Sequence, residues 1–361
     1  MATEAGWHFN RLPRLPLFTL VTGPGQAVMQ KPSAIYLRLP NWIGDVCMTL
    51  PCLQAAIATG VPVVVCAREW ARDLLAAYPL AGFIPMTGKW RRDRAAVSDF
   101  RKTARHARPL GLLLPDSLSS AMVFRFAGIP SAGYRDDGRS LILRWPLRKP
   151  PGAPHAVESW YHLTRQTLER WGFSVLPLPA TRQLNLALLP RHDAEATDAL
   201  EAAGLEPGRF VLIAPTATGL HRGRVKVWPH FSGLAATLQE QGWPVAMCPP
   251  PAEQQTAMET APSAQCLPPL RLGAFAALAR QAALVVCNDS GVSHVAAAAG
   301  AHQLTLFGVT RPDRTGPWSA TAQCLGADNA WPPQADVLSH VQRHLTALQL
   351  AGQARQASPC S

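Results

Sequence analysis

Apolar runs alternate with helix-like segments through the first half of the chain, and polar turns follow the runs. A buried strand, a helix and a second buried strand in succession form a βαβ unit, which implies a parallel sheet. Five segments of this half follow the pattern: strands over Ala34–Leu39, Val61–Ala67 and Leu110–Leu114, and helices over Val46–Thr59 and Ser117–Ala127.

The same alternation restarts after a proline-dense stretch, Leu176–Ala180, whose composition is typical of an interdomain linker. Two successive βα-alternating halves predict an α/β protein with two Rossmann-like domains facing a cleft. We expect an N-terminal extension over 1–33, a first domain over 34–180 and a second over 181–361. The second half contains these predicted strands and helices: strands Phe210–Ala214, Pro244–Cys248, Leu284–Cys287 and Gln303–Phe307; helices Asp193–Ala203, Trp228–Gln241, Leu272–Gln281, Val292–Ala299 and Asp336–Leu350.

Composition narrows the class of protein. A chain of 361 residues is too long for one ordinary core, which agrees with two domains. The net charge of +11 favours a polyanionic partner such as nucleic acid, anionic lipid or a phosphorylated glycan. No helix-turn-helix or zinc-finger pattern accompanies the charge, so DNA binding is the weakest of these. Most cysteines lie in apolar runs without a C-x-x-C pair, which indicates buried reduced thiols in the cytoplasm.

The sequence predicts neither a membrane-spanning segment nor a signal peptide. No apolar run approaches the roughly 20 residues that span a bilayer. We interpret residues 1–33 as a variable extension and not as a signal peptide. Any contact with a membrane is then expected to be peripheral.

The first segment that can carry chemistry is the turn after strand Leu284–Cys287. Asp289 or Ser290 can cap the helix that follows, and Gly291 lets a ligand approach the backbone. Such a helix start is a site for a diphosphate, with Asp289 orienting the site and His294 touching a ligand group. The alternative is an ordinary capped turn beside a partly buried histidine.

The second segment is the loop after strand Phe210–Ala214. It offers the hydroxyls of Thr216 and Thr218, and Lys226 can act as a point charge on a phosphate. It follows a strand, so it lies at the sheet edge where open α/β sheets bind ligands. A solvated basic loop is the alternative.

The third segment is the turn over 40–45. Asp45 at its end is interpreted either as a cap of helix Val46–Thr59 or as a carboxylate at the cleft that takes a proton from a hydroxyl. No G-x-x-x-x-G-K-[ST] pattern occurs, which excludes a typical P-loop NTPase. No D-x-D pair suggests a divalent metal.

Basic residues form two clusters in the first half, over 89–108 and 135–149. Solvated faces are one explanation. The other is an electropositive acceptor side for a phosphorylated glycolipid at a membrane.

Together, the three segments resemble glycosyltransferase family 9, the heptosyltransferases, and especially heptosyltransferase II. The resemblance covers roughly residues 34–345. It is carried by the strand and turn over 35–45, by 112–135, and by the Asp-Ser-Gly-x-x-His helix start over 288–298 with Leu306-Phe307-Gly308 behind it. The sequence departs from the family at Pro249-Pro250-Pro251, where a glycine-rich turn is usual, and at the basic run Arg222-Gly223-Arg224.

The resemblance implies a GT-B fold and inverting transfer of heptose from ADP-L-glycero-D-manno-heptose to the inner core of lipopolysaccharide, without metal ion or cofactor. It also implies a lipid A–Kdo acceptor, peripheral contact with the cytoplasmic face of the inner membrane and no nucleic-acid partner. Two alternatives stay open: transfer of another sugar from another nucleotide, and a non-catalytic protein that binds a nucleotide sugar or anionic glycan. The family's roles fall on these residues: Asp45 as general base; Lys226, Thr216, Thr218, Glu253, Asp289, Ser290, Gly291 and His294 at the donor; and, from charge and position alone, Trp42, Arg125, Arg135 and Arg139 at the acceptor.

Overall fold

The computed structural model describes residues 31–218, 220–221 and 223–357, and its described part contains two six-stranded parallel sheets. The first sheet consists of β1 Ala34–Arg38, β2 Val63–Ala67, β3 Gly82–Pro85, β4 Pro109–Leu113, β5 Ser131–Tyr134 and β6 Trp145–Leu147. The second consists of β7 Val211–Ala214, β10 Val245–Met247, β11 Gln265–Cys266, β12 Leu284–Asn288, β13 Gln303–Phe307 and β14 Ala322–Gly326. A small antiparallel hairpin, β8 Leu220–His221 and β9 Arg224–Val225, lies between β7 and β10 in the sequence.

Helices connect the strands and cover the sheets. In the first half they are α1 Ile43–Met48, α2 Leu50–Ala58, α3 Ala71–Leu74, α4 Trp90–Thr103, α5 Leu118–Phe126 and α6 Ala156–Arg170. In the second half they are α7 Pro190–Ala202, α8 Phe231–Glu240, α9 Gln254–Thr260, α10 Leu272–Gln281, α11 Gly291–Ala299, α12 Pro312–Thr315 and α13 Gln334–Ala357. Two 3₁₀ turns, Arg139–Leu141 and Pro251–Glu253, complete the regular structure of the described residues.

Both sheets have the same topology. The spatial order is β3-β2-β1-β4-β5-β6 in the first and β11-β10-β7-β12-β13-β14 in the second. In each, the strand order reverses beside the strand that comes first in the chain, and ligands of such folds bind outside the carboxyl ends of the strands at this point. The predicted α/β fold with two Rossmann-like sheets is confirmed.

The central strands are buried along their whole length, because helices cover both faces of each sheet. Every residue of β1, β2, β4, β12 and β13 is buried. Continuous apolar runs such as Val63–Val65 are the sequence form of a strand that is covered on both sides.

One predicted helix is wrong in detail. Val46–Thr59 forms two helices, α1 and α2, and the first begins earlier, at Ile43. The helix is interrupted at Thr49, whose hydroxyl donates to the carbonyl of Val46 at 2.8 Å. Pro51 has no N–H to continue the first helix across this break. α8 likewise begins at Phe231 instead of Trp228.

Residues 173–189 contain no helix or strand, as expected of the predicted linker. The boundary at 180/181 stays a prediction. Residues 1–30 of the predicted extension lie outside the described residues. Within the described part of the chain, no helix is both long and apolar enough to cross a bilayer.

The two halves touch through helices that begin at facing edges of the sheets. α1 packs on α11, and α3 packs on α10. Asp73 in α3 accepts a hydrogen bond from the backbone N–H of Gly273 at 2.9 Å, and Arg191 donates to the same carboxylate at 3.4 Å. The N-cap residue of α10, Arg271, makes no side-chain cap. Asp73 therefore caps α10 from the other half of the molecule.

We expect Asp73→Ala to lower the free energy of unfolding by about 1 kcal/mol, because the first turn of α10 loses its carboxylate cap. Chemical denaturation with Asp99→Ala as control measures this, since Asp99 is exposed on α4. Equal stability of the two variants would contradict a capping role for Asp73.

Candidate functional site

A cavity lies between the carboxyl edges of the two sheets. It contains about 850 Å³ of empty space, part of it open to solvent. Its walls come from the loop after β7, from the segment after β10, and from the start of α11, while Ile43 closes it from the first half. Five of the residues predicted for the donor line this cavity: Thr216, Thr218, Glu253, Ser290 and Gly291. Cys248, Leu270 and Phe275 form an apolar wall beside them.

The start of α11 has the geometry of an anion site. Ser290 is the N-cap, and its hydroxyl accepts from the N–H of Val292 at 3.3 Å. Ser290 and Gly291 both line the cavity. Ile43 lies so close to Gly291 that a Cβ there would be 3.2 Å from the Cβ of Ile43. The capped turn expected as an alternative is therefore present, and it opens onto a cavity.

Lys226 is held beside this helix start. Its Nζ donates to the backbone carbonyl of Asp289 at 2.7 Å and lies 3.4 Å from Oδ2 of the same residue. Thr310 donates to that Oδ2 at 2.5 Å, so Asp289 is fixed from two sides. An ammonium has three donors, and the side chain of Lys226 is about one-fifth exposed. The charge can therefore reach a phosphate at the start of α11.

Asn288 positions the loop that carries Lys226. It is fully buried; its Oδ1 accepts from the N–H of Trp228 at 2.8 Å, and its Nδ2 donates to the carbonyl of Ala214 at 3.2 Å. Trp228 is also buried and donates through Nε1 to the carbonyl of Pro332 at 2.8 Å. These hydrogen bonds fix Trp228, and Lys226, two residues earlier in the chain, is thereby held at the site.

The other predicted donor residues occupy the opposite wall. The hydroxyl of Thr216 donates to Glu253 at 2.5 Å, and both line the cavity with Thr218. The last of the prolines that replace the glycine-rich turn begins a 3₁₀ turn, Pro251–Glu253, which brings the carboxylate to this wall. The departure from the family pattern at this turn therefore leaves Glu253 at the cavity.

The basic run before Lys226 is used in part for internal contacts. Arg224 donates to the carbonyl of Val309 at 3.2 Å and pairs with Asp328 at 2.9 Å. Arg222 lies outside the described residues. The hairpin is thus held to the loops after β13 and β14, and the solvated-loop alternative is wrong for Arg224 and Lys226.

Asp45 is the third residue of α1, and its carboxylate makes no hydrogen bond or ion pair within the described residues. The N-cap of α1 is Trp42, and no side chain caps it. The interpretation of Asp45 as a helix cap is therefore wrong. Partial burial of the uncompensated carboxylate raises its pKa to about 6.

His294 lies beneath the cavity at the contact of the two halves. It is buried, and a Cβ at Gly44 would come within 2.4 Å of its ring. Burial lowers the pKa of His294 to about 4, although the nearby charge of Asp289 opposes that shift. The imidazole is therefore neutral at pH 7, and its buried Nδ1 has no partner among the described residues.

The structure separates the four residues predicted for the acceptor. Trp42 is 77% exposed at the start of α1, and Arg135 is exposed directly after β5, so both lie at the cleft edge. Arg139 is completely buried and donates to Asp116 at 3.4 Å, which favours a structural role. Arg125 lies in the last turn of α5, and a helix between parallel strands ends at the sheet edge opposite the cleft.

Sequence reasoning did not select two residues of the site, Asn288 and Thr310. Asn288 is the last residue of β12, and Thr310 follows shortly after the carboxyl end of β13. A search for polar residues at strand ends could have found them. Their partners could not be foreseen, because each bond joins segments that are distant in the sequence.

Comparison with known proteins now identifies the family. The sequence model of glycosyltransferase family 9 (heptosyltransferase) matches residues 100–342. The chain belongs to this family. It is therefore a glycosyltransferase enzyme of the heptosyltransferase group, and the resemblance inferred from its motifs is confirmed.

Individual relatives agree with the family assignment. The chain is 29% identical to lipopolysaccharide heptosyltransferase 1 of Pseudomonas aeruginosa over 77% of its own length and 72% of the relative's. It is 27% identical to lipopolysaccharide heptosyltransferase 2 of Escherichia coli over 79% and 86% of the two chains.

Solved structures share the fold. The structure of E. coli ADP-heptose lipopolysaccharide heptosyltransferase II has a TM-score of 0.68 and 25% identity, covering 89% of this chain and 99% of that one. E. coli heptosyltransferase WaaC with ADP has a TM-score of 0.69 and 21% identity, covering 86% and 99%. The GT-B arrangement of the glycosyltransferase family 9 enzymes is thus present here.

We expect Asn288→Ala to weaken ADP binding and to lower the free energy of unfolding by about 1–3 kcal/mol, because a buried N–H and a carbonyl lose their partner. Calorimetric titration with ADP and chemical denaturation measure the two effects. Asn288→Asp keeps the acceptor for Trp228 and should recover part of the affinity. A loss of stability with unchanged ADP affinity would refute the positioning role.

Proposed function

We propose that this enzyme transfers heptose from ADP-L-glycero-D-manno-heptose to the inner core of lipopolysaccharide, with inversion at the anomeric carbon. One observation carries the proposal: an ammonium lies beside a helix N-terminus that opens onto a cavity with an apolar wall. This arrangement suits a nucleoside diphosphate sugar, with the diphosphate at Lys226 and α11 and the nucleoside beside Cys248 and Phe275. The relatives in Pseudomonas aeruginosa and E. coli are lipopolysaccharide heptosyltransferases, which supports the heptose and the lipopolysaccharide acceptor.

Asp45 is the general base of the proposed reaction. It lies in the first half, beside Ile43 and Gly44, which touch the start of α11 and His294 in the second half. A carboxyl group with a pKa near 6 is mostly ionised at pH 7 and still basic enough to take a proton from a sugar hydroxyl. The hydroxyl oxygen forms the new bond to the anomeric carbon as Asp45 takes its proton.

The leaving group departs on the other side. The bond from the anomeric carbon to the diphosphate oxygen breaks, and negative charge grows on that oxygen. Lys226 and the first turn of α11 stabilise the charge, because fixed donors in a partly buried site need little reorganisation. A single displacement from the face opposite the leaving group inverts the anomeric carbon.

The acceptor is proposed to be the lipid A–Kdo region, reached from the cytoplasmic side of the inner membrane. Trp42 and Arg135 are the predicted acceptor residues that reach the cleft edge, and they are the ones proposed to contact it. The type of heptosyltransferase, which is predicted to be type II, belongs to the same proposal.

We expect ADP to bind in the presence of EDTA, and Lys226→Ala to weaken it by about tenfold or more, because a charge-assisted hydrogen bond to phosphate is lost. Calorimetric titration with ADP, UDP and GDP measures this, with Lys102→Ala as a control on the remote helix α4. Preference for UDP or GDP would refute the ADP-heptose donor. If Lys226→Ala bound ADP as tightly as the wild type does, Lys226 would not be part of the donor site.

We expect Asp45→Asn to lower kcat by about 10²–10⁴-fold while ADP affinity stays unchanged. In the wild type the rate should rise with pH through about 6 and then level off, because Asp45 acts only when ionised. This rise of the rate with pH should be missing in Asp45→Asn and present in the control variant Asp99→Asn. Near-normal turnover of Asp45→Asn would contradict its role as base.

A further inference from the structure

The outer surface of α4 and α5 combines exposed apolar side chains with cations. Among the apolar ones, Trp90 and Leu118 are each 41% exposed, Phe126 is 59% exposed, and Leu141 in the neighbouring 3₁₀ turn is 92% exposed. We refer to this surface as the apolar–basic face. Its members are Trp90, Leu118, Phe126, Leu141, Arg91, Arg92, Lys102 and Arg125.

The apolar members point away from the core because of helix geometry. Leu118 and Phe126 are eight positions apart in α5, so they lie two turns apart on the same side. Ala121 and Phe124, on the other side of α5, are buried against the first sheet. α4 packs beside α5, and its buried residue Val97 faces the same cluster. The exposed stripe is therefore not needed by the core that these helices form.

Among the described residues, the cations of this face have no carboxylate partners. Arg91, Arg92, Lys102 and Arg125 form no ion pair in the described part of the chain. The segment 89–108 carries eight Lys or Arg residues and two Asp residues. One of these, Asp93, is buried and accepts hydrogen bonds from the amides of 87 and 88. The charge of the face is therefore available to an external polyanion.

We propose that the apolar–basic face docks on an anionic lipid bilayer. Exposed Leu and Phe can enter the headgroup region, Trp prefers that depth, and Lys and Arg are attracted to anionic headgroups. A nucleic acid would use the cations but would leave the apolar stripe in water. The face belongs to the half that carries Asp45, so docking holds the acceptor side of the enzyme at the membrane; this consequence rests on the proposed function.

Sedimentation with vesicles tests the charged part of the proposal. The full-length enzyme should bind vesicles of phosphatidylglycerol and phosphatidylethanolamine, bind phosphatidylcholine vesicles much less, and lose binding as salt rises. Arg91→Glu with Arg92→Glu should lower partitioning by about 25-fold or more, since each cation contributes about fivefold. The control is Arg209→Glu with Arg343→Glu, which makes the same charge change on exposed residues of the second half.

A second pair of variants tests the apolar part. Leu118→Ser with Phe126→Ser should lower partitioning by about tenfold or more, because the apolar area that enters the lipid is lost. The matched control is Met258→Ser with Leu350→Ser, whose side chains are 41% and 61% exposed on the second half. Thermal unfolding of each variant verifies that the fold is retained.

Three outcomes would overturn the proposal: equal loss of binding in the control pairs, equal binding to neutral and anionic vesicles, or duplex DNA binding that depends on Arg91 and Arg92 without vesicle binding. Transfer to a deacylated, water-soluble acceptor separates this proposal from the enzymatic one. All four double variants should keep wild-type turnover in that assay, because none of these residues lies at the cavity. Absence of turnover in the wild type would concern the proposed function alone.

Discussion

The packing of α1 on α11 sets the geometry of the whole site. Two close approaches define it: Gly44 lies against the ring of His294, and Gly291 lies against Ile43. A side chain at either glycine would push the two helices apart. Since Asp45 follows Gly44 and the proposed diphosphate site includes Gly291, this contact fixes the distance between the proposed base and the proposed leaving group.

Burial acts in opposite directions on the two titratable groups at this contact. It raises the pKa of Asp45 to about 6 and lowers that of His294 to about 4, because in both cases the charged form loses hydration. The two shifts also affect stability differently. The folded state keeps His294 neutral, so stability is lost as pH falls from the ordinary histidine pKa of about 6.5 towards 4. The folded state favours protonated Asp45, so stability is also lost as pH rises from the ordinary aspartate pKa of about 4 through about 6.

The repeated βα pattern was enough to predict the fold, because buried parallel strands appear as continuous apolar runs between turns. The ends of Leu272–Gln281 and Gln303–Phe307 were predicted to the residue. Local patterns could not predict the break at Thr49, where a threonine hydroxyl and a proline end one helix and begin another.

For the site, residue types at strand ends pointed to loops that line one cavity, but not to the contacts between them. The anchor from Asn288 to Trp228 and the bond from Thr310 to Asp289 join segments whose distance in space only the fold determines. Charge alone was a poor guide to the acceptor side. Arg139 is the clearest case, since its guanidinium is buried beside Asp116.

The most direct test of the account is the transfer reaction itself, followed by mass spectrometry of the acceptor. The purified enzyme would be incubated with a deacylated lipid A–Kdo acceptor and with ADP-heptose, or with UDP- and GDP-sugars in parallel. The account predicts an acceptor heavier by one heptose with ADP-heptose alone and an anomeric configuration opposite to that of the donor. Transfer only from UDP- or GDP-sugars, or a retained configuration, would contradict it.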